Sequence, residues 1–162
     1  GICLGLQCAV IEFSRNVFDL KNANTTEFIE DEDQKIDHPV ICLMEEQANV
    51  DLKGGTMRLG SYQCDIVEGT KVSNAYKQKI IFERHRHRYE VNNYYRELLE
   101  KNGMILSGLN EELEVVEMIE LKNHPWFIGT QAHPEFKSQP INAHPLFKGF
   151  VQAAYEFKTS IS

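Results

Sequence analysis

The stretch Gly1-Ile2-Cys3-Leu4-Gly5, followed at once by Leu6-Gln7-Cys8-Ala9-Val10-Ile11-Glu12-Phe13, constrains the fold more than any other part of the chain. Its Gly-x-Cys-x-Gly form is the thiol version of a nucleophile elbow, a sharp strand-to-helix turn that needs small residues where backbones approach closely. The apolar residues after Gly5 recur at helical spacing and predict a largely buried helix that begins almost directly after Cys3. A thiol at a helix N-terminus feels the positive end of the dipole, which favours the thiolate. Two readings of Cys3 stand at this level: an exposed nucleophile, or a small buried residue in a glycine-rich turn. Cys8, Cys42 and Cys64 lack glycine flanks and are assigned to the core. The four cysteines share no repeated spacing, so neither a disulfide framework nor a zinc module is indicated.

An elbow of this kind needs a sheet beneath it, and 162 residues without internal repeats or long linkers suit one domain. Between Asn22 and His38 the sequence turns polar, with the acidic run Glu30-Asp31-Glu32-Asp33, and an exposed loop is expected. Val40-Ile41-Cys42-Leu43-Met44 reads as a buried strand. Gly54-Gly55 introduces Thr56-Met57-Arg58-Leu59-Gly60, and after a further turn comes Gln63-Cys64-Asp65-Ile66-Val67, so a pair of strands is expected. Lys79-Ile80-Ile81-Phe82-Glu83-Arg84 reads as a strand, Tyr94 to Lys101 as a helix, and Gly103 as that helix's stop. Leu113 to Leu121, which carries Glu114, Glu117 and Glu120, and Trp126 to Ala132 are β-rich and belong in the middle and rim of a sheet. Pro145 opens a last helix whose stripe of Leu146, Phe147, Phe150, Val151, Ala154 and Phe157 is expected to pack on the sheet. Mixed strands and helices favour a three-layer α/β or α+β architecture.

A cysteine nucleophile needs a base. His133-Pro134-Glu135 terminates the run Trp126 to Ala132, and reactive groups gather at strand ends in α/β sheets. In extended chain, residues two apart face the same side, so Glu135 can reach the His133 imidazole and set its tautomer. The other reading is a turn histidine beside a solvated glutamate, because the tripeptide alone is a weak motif. Arg84-His85-Arg86-His87-Arg88-Tyr89 stands out in a chain of net charge −7. If extended, it sets the arginines on one face and the histidines on the other. No neighbouring carboxylate or thiol in the sequence completes a metal set with His85 and His87. Recognition of a carboxylate by arginine suits the stretch better, because a guanidinium offers two parallel donors. The acidic balance opposes a nucleic-acid partner, and no apolar run approaches the roughly 18 residues of a spanning helix. A cytoplasmic chain with no membrane partner is expected.

Taken together these residues resemble the C-terminal glutamine amidotransferase domain of the CTP synthases, within the triad (class I) glutamine amidotransferases. The resemblance is carried by Gly1 to Gln7, Asn24 to Phe28, Gly54 to Gly60, Glu83 to Asn92, Asn123 to Phe127 and His133 to Phe136. It implies a three-layer α/β/α, flavodoxin-like domain over residues 1–162, incomplete at its N-terminal side. There the family places the strand feeding the elbow, a glycine-rich loop and an ATP-dependent synthetase domain. It implies Cys3 as nucleophile, His133 as acid and base, and Glu135 as the group orienting His133. L-glutamine is then held by Leu4, Gly5, Leu6 and Gln7, by Glu27 at its α-ammonium and by Arg88 at its α-carboxylate. One oxyanion donor is the Leu4 N–H. No cofactor is implied for this stretch, while ATP and Mg serve the synthetase domain, where ammonia converts UTP to CTP. GTP activation and a homotetramer are implied as well, and the loop Ala48 to Lys53 is short for the family. The competing readings are a free-standing γ-glutamyl hydrolase, a papain-like protease and a non-catalytic regulatory or assembly domain.

Overall fold

The computed structural model describes residues 1–28, 36–43 and 57–161. The acidic run Glu30–Asp33, Met44, the short loop Ala48–Lys53 and Gly54-Gly55-Thr56 lie outside the described residues. Helix α1 (Leu4–Asn16) forms where Leu6, Val10 and Phe13 recur at steps that share one face. That face packs into a core with Ala23, Val40, Ile41, Val91, Leu99, Met104, Leu106, Val116 and Ile119. Cys8 is exposed, which corrects its assignment to the core. Two residues beyond Leu6, it is turned about 200° around the helix and faces away from the sheets. Cys64 is buried and Cys42 half-buried.

The core joins two sheets. In the smaller, β2 (His38–Cys42) lies between β1 (Ala23–Thr25), to which it is parallel, and β5 (Glu90–Val91), to which it is antiparallel. Strand β1 lies where an exposed loop is expected. Pairing with β2 sets Ala23 and Thr25 on the inner face, and two alternate small side chains suffice for burial even in a polar stretch. The larger sheet has the order β4 (Ile80–His87), β3 (Arg58–Ile66), β6 (Met104–Asn110), β7 (Val115–Leu121) and β8 (Ile128–Thr130), antiparallel throughout. Arg58–Ile66 is one strand, not the expected pair. It runs in unbroken register with β4 from Arg58↔His87 to Asp65↔Ile80. Gly60 adopts φ 109° inside it, a conformation open to glycine that bends the strand without reversing it.

Short helices fill the connections. α2 (Lys71–Tyr76) is capped by the Thr70 hydroxyl, which accepts from Ser73 N–H, and by the buried Glu120 carboxylate of β7, which accepts from the Lys71 and Val72 N–H groups. α3 (Arg96–Lys101) ends at Gly103, whose φ of 99° lets its N–H turn back to the Glu100 carbonyl. α4 (Pro145–Ser160) forms as expected and packs on the large sheet through Leu146, which joins a cluster with Cys64, Ile66, Val72, Ile81 and Met118, but the rest of the stripe departs from the expectation: Phe150, Val151, Ala154 and Phe157 stay exposed. Gly149 sits so close to Trp126 that a Cβ there would overlap the indole. Glu114 sits exposed in the turn before β7. The fold class is α/β.

Candidate active site

The elbow is present in atomic detail. Ile2 bridges Thr130 of β8 in parallel, and Cys3 N–H donates to the Thr130 carbonyl (2.8 Å). Cys3 then takes φ 48° and ψ −107° at the N-cap of α1, a strained conformation costing about 1–3 kcal/mol that the surrounding hydrogen bonds must hold. A Cβ on Gly1 would lie 2.5 Å from the Gly5 carbonyl oxygen, whereas one on Gly5 would meet nothing within 4 Å. The first glycine is there for close approach, and the second opens space beside Leu4.

Cys3 is half-buried. Burial pushes its thiol above the ordinary value; the Leu4 N–H and the Gln131 amide act the other way, and the charges of Glu27 and Glu90 add to the rise. The shift opposes the thiolate expected from the helix dipole and suits a nucleophile paired with a base.

His133 supplies a suitable geometry. Its Nδ1 lies 2.6 Å from Glu135 Oε1, so Nδ1 carries the proton of that hydrogen bond. Nε2 is buried and without a hydrogen-bond partner, while the ring stacks on Phe136 at 5.1 Å. His133 N–H donates to the Arg84 carbonyl (2.8 Å), and the Cys3 thiol faces the Arg86 carbonyl (3.9 Å). Carbonyls two residues apart on a strand project to one side about 7 Å from each other. Thiol and imidazole thus hang from neighbouring positions on the free edge of β4. The chain reaches that edge from the far side of the sheet, since Gln131 N–H still pairs with the Glu117 carbonyl of β7.

The remaining sequence-derived residues divide by direction. Leu4 is exposed and Gly5 half-exposed beside the thiol, while Leu6 and Gln7 are buried. Gln7 Nε2 donates to the Tyr89 carbonyl (3.0 Å) and to Gln131 Oε1 (3.4 Å). Glu27, exposed in the turn after β1, is near enough to raise both the Cys3 and the Tyr89 pKa values. Arg88, just past the end of β4, acts on Tyr89 in the opposite sense, and its Nε is buried without a partner. The alternation predicted for the basic stretch is present: Arg84 and Arg86 are exposed, His85 and His87 buried.

Beneath the site lies a polar cluster that the sequence did not announce. Arg58 Nη1 pairs with Glu90 Oε1 (3.1 Å) and Nη2 with Glu117 Oε1 (2.6 Å), and all three are buried. His87 Nδ1 lies 3.2 Å from the Tyr89 carbonyl, which can only accept, so Nδ1 carries the proton and Nε2 accepts from His85 Nδ1 (2.9 Å). His85 Nε2 is then a lone pair 3.4 Å from Glu117 Oε2. The contact is satisfied when Glu117 keeps a proton. Burial raises Glu117 and pushes Glu90 up to about 8, while it lowers His85 to about 2 and His87 to about 3. Among the described residues, no group of three or more His, Cys, Asp or Glu is arranged to hold a metal ion. Arg58, Glu90, Glu117 and Gln131 were missed. Gln131 alone carried a signal, standing two residues before His133 at the strand end.

Residues 1–153 match the family described as glutamine amidotransferase class-I. A CTP synthase of Caldanaerobacter subterraneus is 59% identical over 158 residues, 98% of this chain and 29% of that protein. One from Ruminiclostridium cellulolyticum is 58% identical over 159 residues, with the same shares. The chain therefore spans under a third of the length of these relatives. A solved Trypanosoma brucei CTPS glutaminase domain with bound acivicin superposes with a TM-score of 0.86 at 37% identity, covering 96% of this chain and 59% of that one.

Proposed function

Because the chain belongs to the class-I glutamine amidotransferases, and among them to the CTP synthase family, we propose that Cys3, His133 and Glu135 hydrolyse the side-chain amide of L-glutamine. His133 Nε2 takes the Cys3 proton, and the thiolate attacks the amide carbon. The Leu4 N–H meets the developing oxyanion. The imidazolium, stabilised by Glu135, gives its proton to the departing ammonia and leaves a γ-glutamyl thioester. His133 then activates water to release glutamate. Glu27 accepts from the α-ammonium of glutamine, and Arg88, whose Nε is unpartnered, pairs with the α-carboxylate. Gly5 leaves room for the substrate beside Leu4, and Leu6 and Gln7 hold the turn from within.

The observation that best supports this reading is the combination of a thiol at a helix N-terminus and an imidazole with Nδ1 anchored and Nε2 free, both tied to one edge of β4. By the same reading the ammonia serves an ATP- and Mg-dependent amination of UTP to CTP in a cytoplasmic homotetramer activated by GTP. No residue of this chain is assigned to those nucleotides, to Mg or to the subunit contacts. Among the described residues, no helix is long and apolar enough to cross a membrane. Treatment of the intact protein with a diazoketone analogue of glutamine is expected to label Cys3 and to abolish glutaminase activity. An adduct elsewhere, or glutaminase activity that survives Cys3→Ala, would overturn the assignment.

A further inference from the structure

We propose that Gln131 takes part in the reaction directly, as a hydrogen-bond donor to Cys3 Sγ that favours the thiolate, and that Gln7 positions it. The inference rests on Cys3 being the nucleophile. Its basis is a chain of hydrogen bonds whose direction is forced from one end. The oxygen and nitrogen of a glutamine amide are told apart by their partners. The Tyr89 carbonyl can only accept, so the atom of Gln7 that lies 3.0 Å from it is the NH2 group. That same NH2 group lies 3.4 Å from the Gln131 amide, which must present its oxygen there. The NH2 group of Gln131 is thereby turned toward Cys3 Sγ at 3.8 Å. Both glutamines are almost fully buried, so water does not compete for these contacts.

The Arg86 and Gln131 contacts of the sulfur respond oppositely to loss of its proton. The thiol proton faces the Arg86 carbonyl at 3.9 Å, and that contact becomes a repulsion once the proton is gone. The Gln131 contact strengthens, because a donor binds a negative sulfur better than a neutral one. An interaction that grows along the reaction lowers the barrier, unlike one that is equal in both states. The charges of Glu27 in the turn after β1 and of Glu90 in β5 work against the thiolate, and burial adds most. The helpers are the Leu4 N–H at the start of α1 and Gln131, with the His133 imidazole as proton acceptor. Gln7 stands on the inward face of α1 between Leu6 and Val10, where packing alone would suit an apolar side chain. Its amide is explained by the orientation it imposes on Gln131.

The test is the pH dependence of Cys3 alkylation by iodoacetamide in the intact protein, read peptide by peptide by mass spectrometry so that exposed Cys8 does not interfere. Gln131→Met, close in shape but without a donor, is expected to raise the apparent pKa of Cys3 by about one pH unit. It should lower glutaminase kcat about tenfold with little change in KM. Gln131→Glu, which faces the sulfur with an acceptor, is expected to raise the pKa further. Gln7→Met frees the Gln131 amide to rotate and should give a smaller rise. A folded Gln131→Met or Gln131→Glu protein with the wild-type alkylation profile overturns the proposal. Failure of the nucleophile assignment would register differently, as absence of Cys3 labelling by the glutamine analogue in the wild type.

Discussion

Strand β4 takes part in two buried clusters of carboxyls and imidazoles, and the carboxyl pKa values move in opposite directions in the two. In one, Glu83 Oε1 accepts from His144 Nε2 (2.9 Å) and Tyr76 OH (3.1 Å) and pairs with Lys137 Nζ (3.2 Å). His144 Nδ1 accepts from the Leu146 N–H, so Nε2 carries the proton that is donated to Glu83. Burial acts to raise the Glu83 carboxyl, but the His144 hydrogen bond and the Lys137 charge hold it below the ordinary value. In the other, two carboxylates share one arginine, and burial wins: Glu90 and Glu117 are pushed up, and His85 and His87 stay neutral. The direction in which a buried carboxyl shifts here depends on how far its own cations and donors offset its desolvation. Exposure alone does not separate the three, because Glu83, Glu90 and Glu117 are each 1% exposed.

Removal of the shared cation should break the contrast most severely. Arg58→Met strands two buried carboxyls and is expected to cost about 3–5 kcal/mol in urea-induced unfolding at neutral pH. A loss under 1 kcal/mol would mean that the pair does not depend on Arg58. Glu83→Leu should cost less, about 1–3 kcal/mol, since Lys137 is 43% exposed and can turn to water while His144 and Tyr76 lose an acceptor.

The finest test concerns pH. Carboxyls whose folded pKa is raised hold their proton more tightly in the native state, so their stabilisation is complete below about 4.5 and fades as pH rises toward 8. Glu83, lowered in the fold, contributes above its ordinary value and is lost as pH falls through the folded one. Glu117→Gln mimics the protonated carboxyl: its oxygen accepts from Arg58 and its NH2 group donates to His85. It should change stability at pH 7 by less than about 1 kcal/mol and flatten the decline between pH 5 and 8. A decline as steep as wild type would place the shared proton elsewhere.

Much of the candidate site was legible because its signals are local. The elbow is five consecutive residues, the His133–Glu135 pair follows from two-residue periodicity in extended chain, and the in–out alternation of Arg84 to His87 follows from the same rule. The fold was legible where an element's own spacing decides it, as in α1, α3 and β2. It was misread where partners decide. Arg58–Ile66 runs straight through Gly60 because β4 supplies a pairing partner along its whole length. Helix α4 has the right stripe, yet only its first turn is buried, where Leu146 meets α2 and the large sheet, and the later apolar residues stay exposed.

By itself, then, the sequence determined where the candidate residues lie and which way they face: Cys3 at a helix start, His133 beside Glu135, arginines and histidines on opposite faces of β4. The tertiary structure decided what they face. Gln131 meets Cys3 across 128 residues, and Arg58 reaches Glu90 and Glu117 across 32 and 59. Periodicity reports the side of an element on which a group lies, but protonation depends on the number of cations, donors and waters waiting there. Only the packed chain supplies that number.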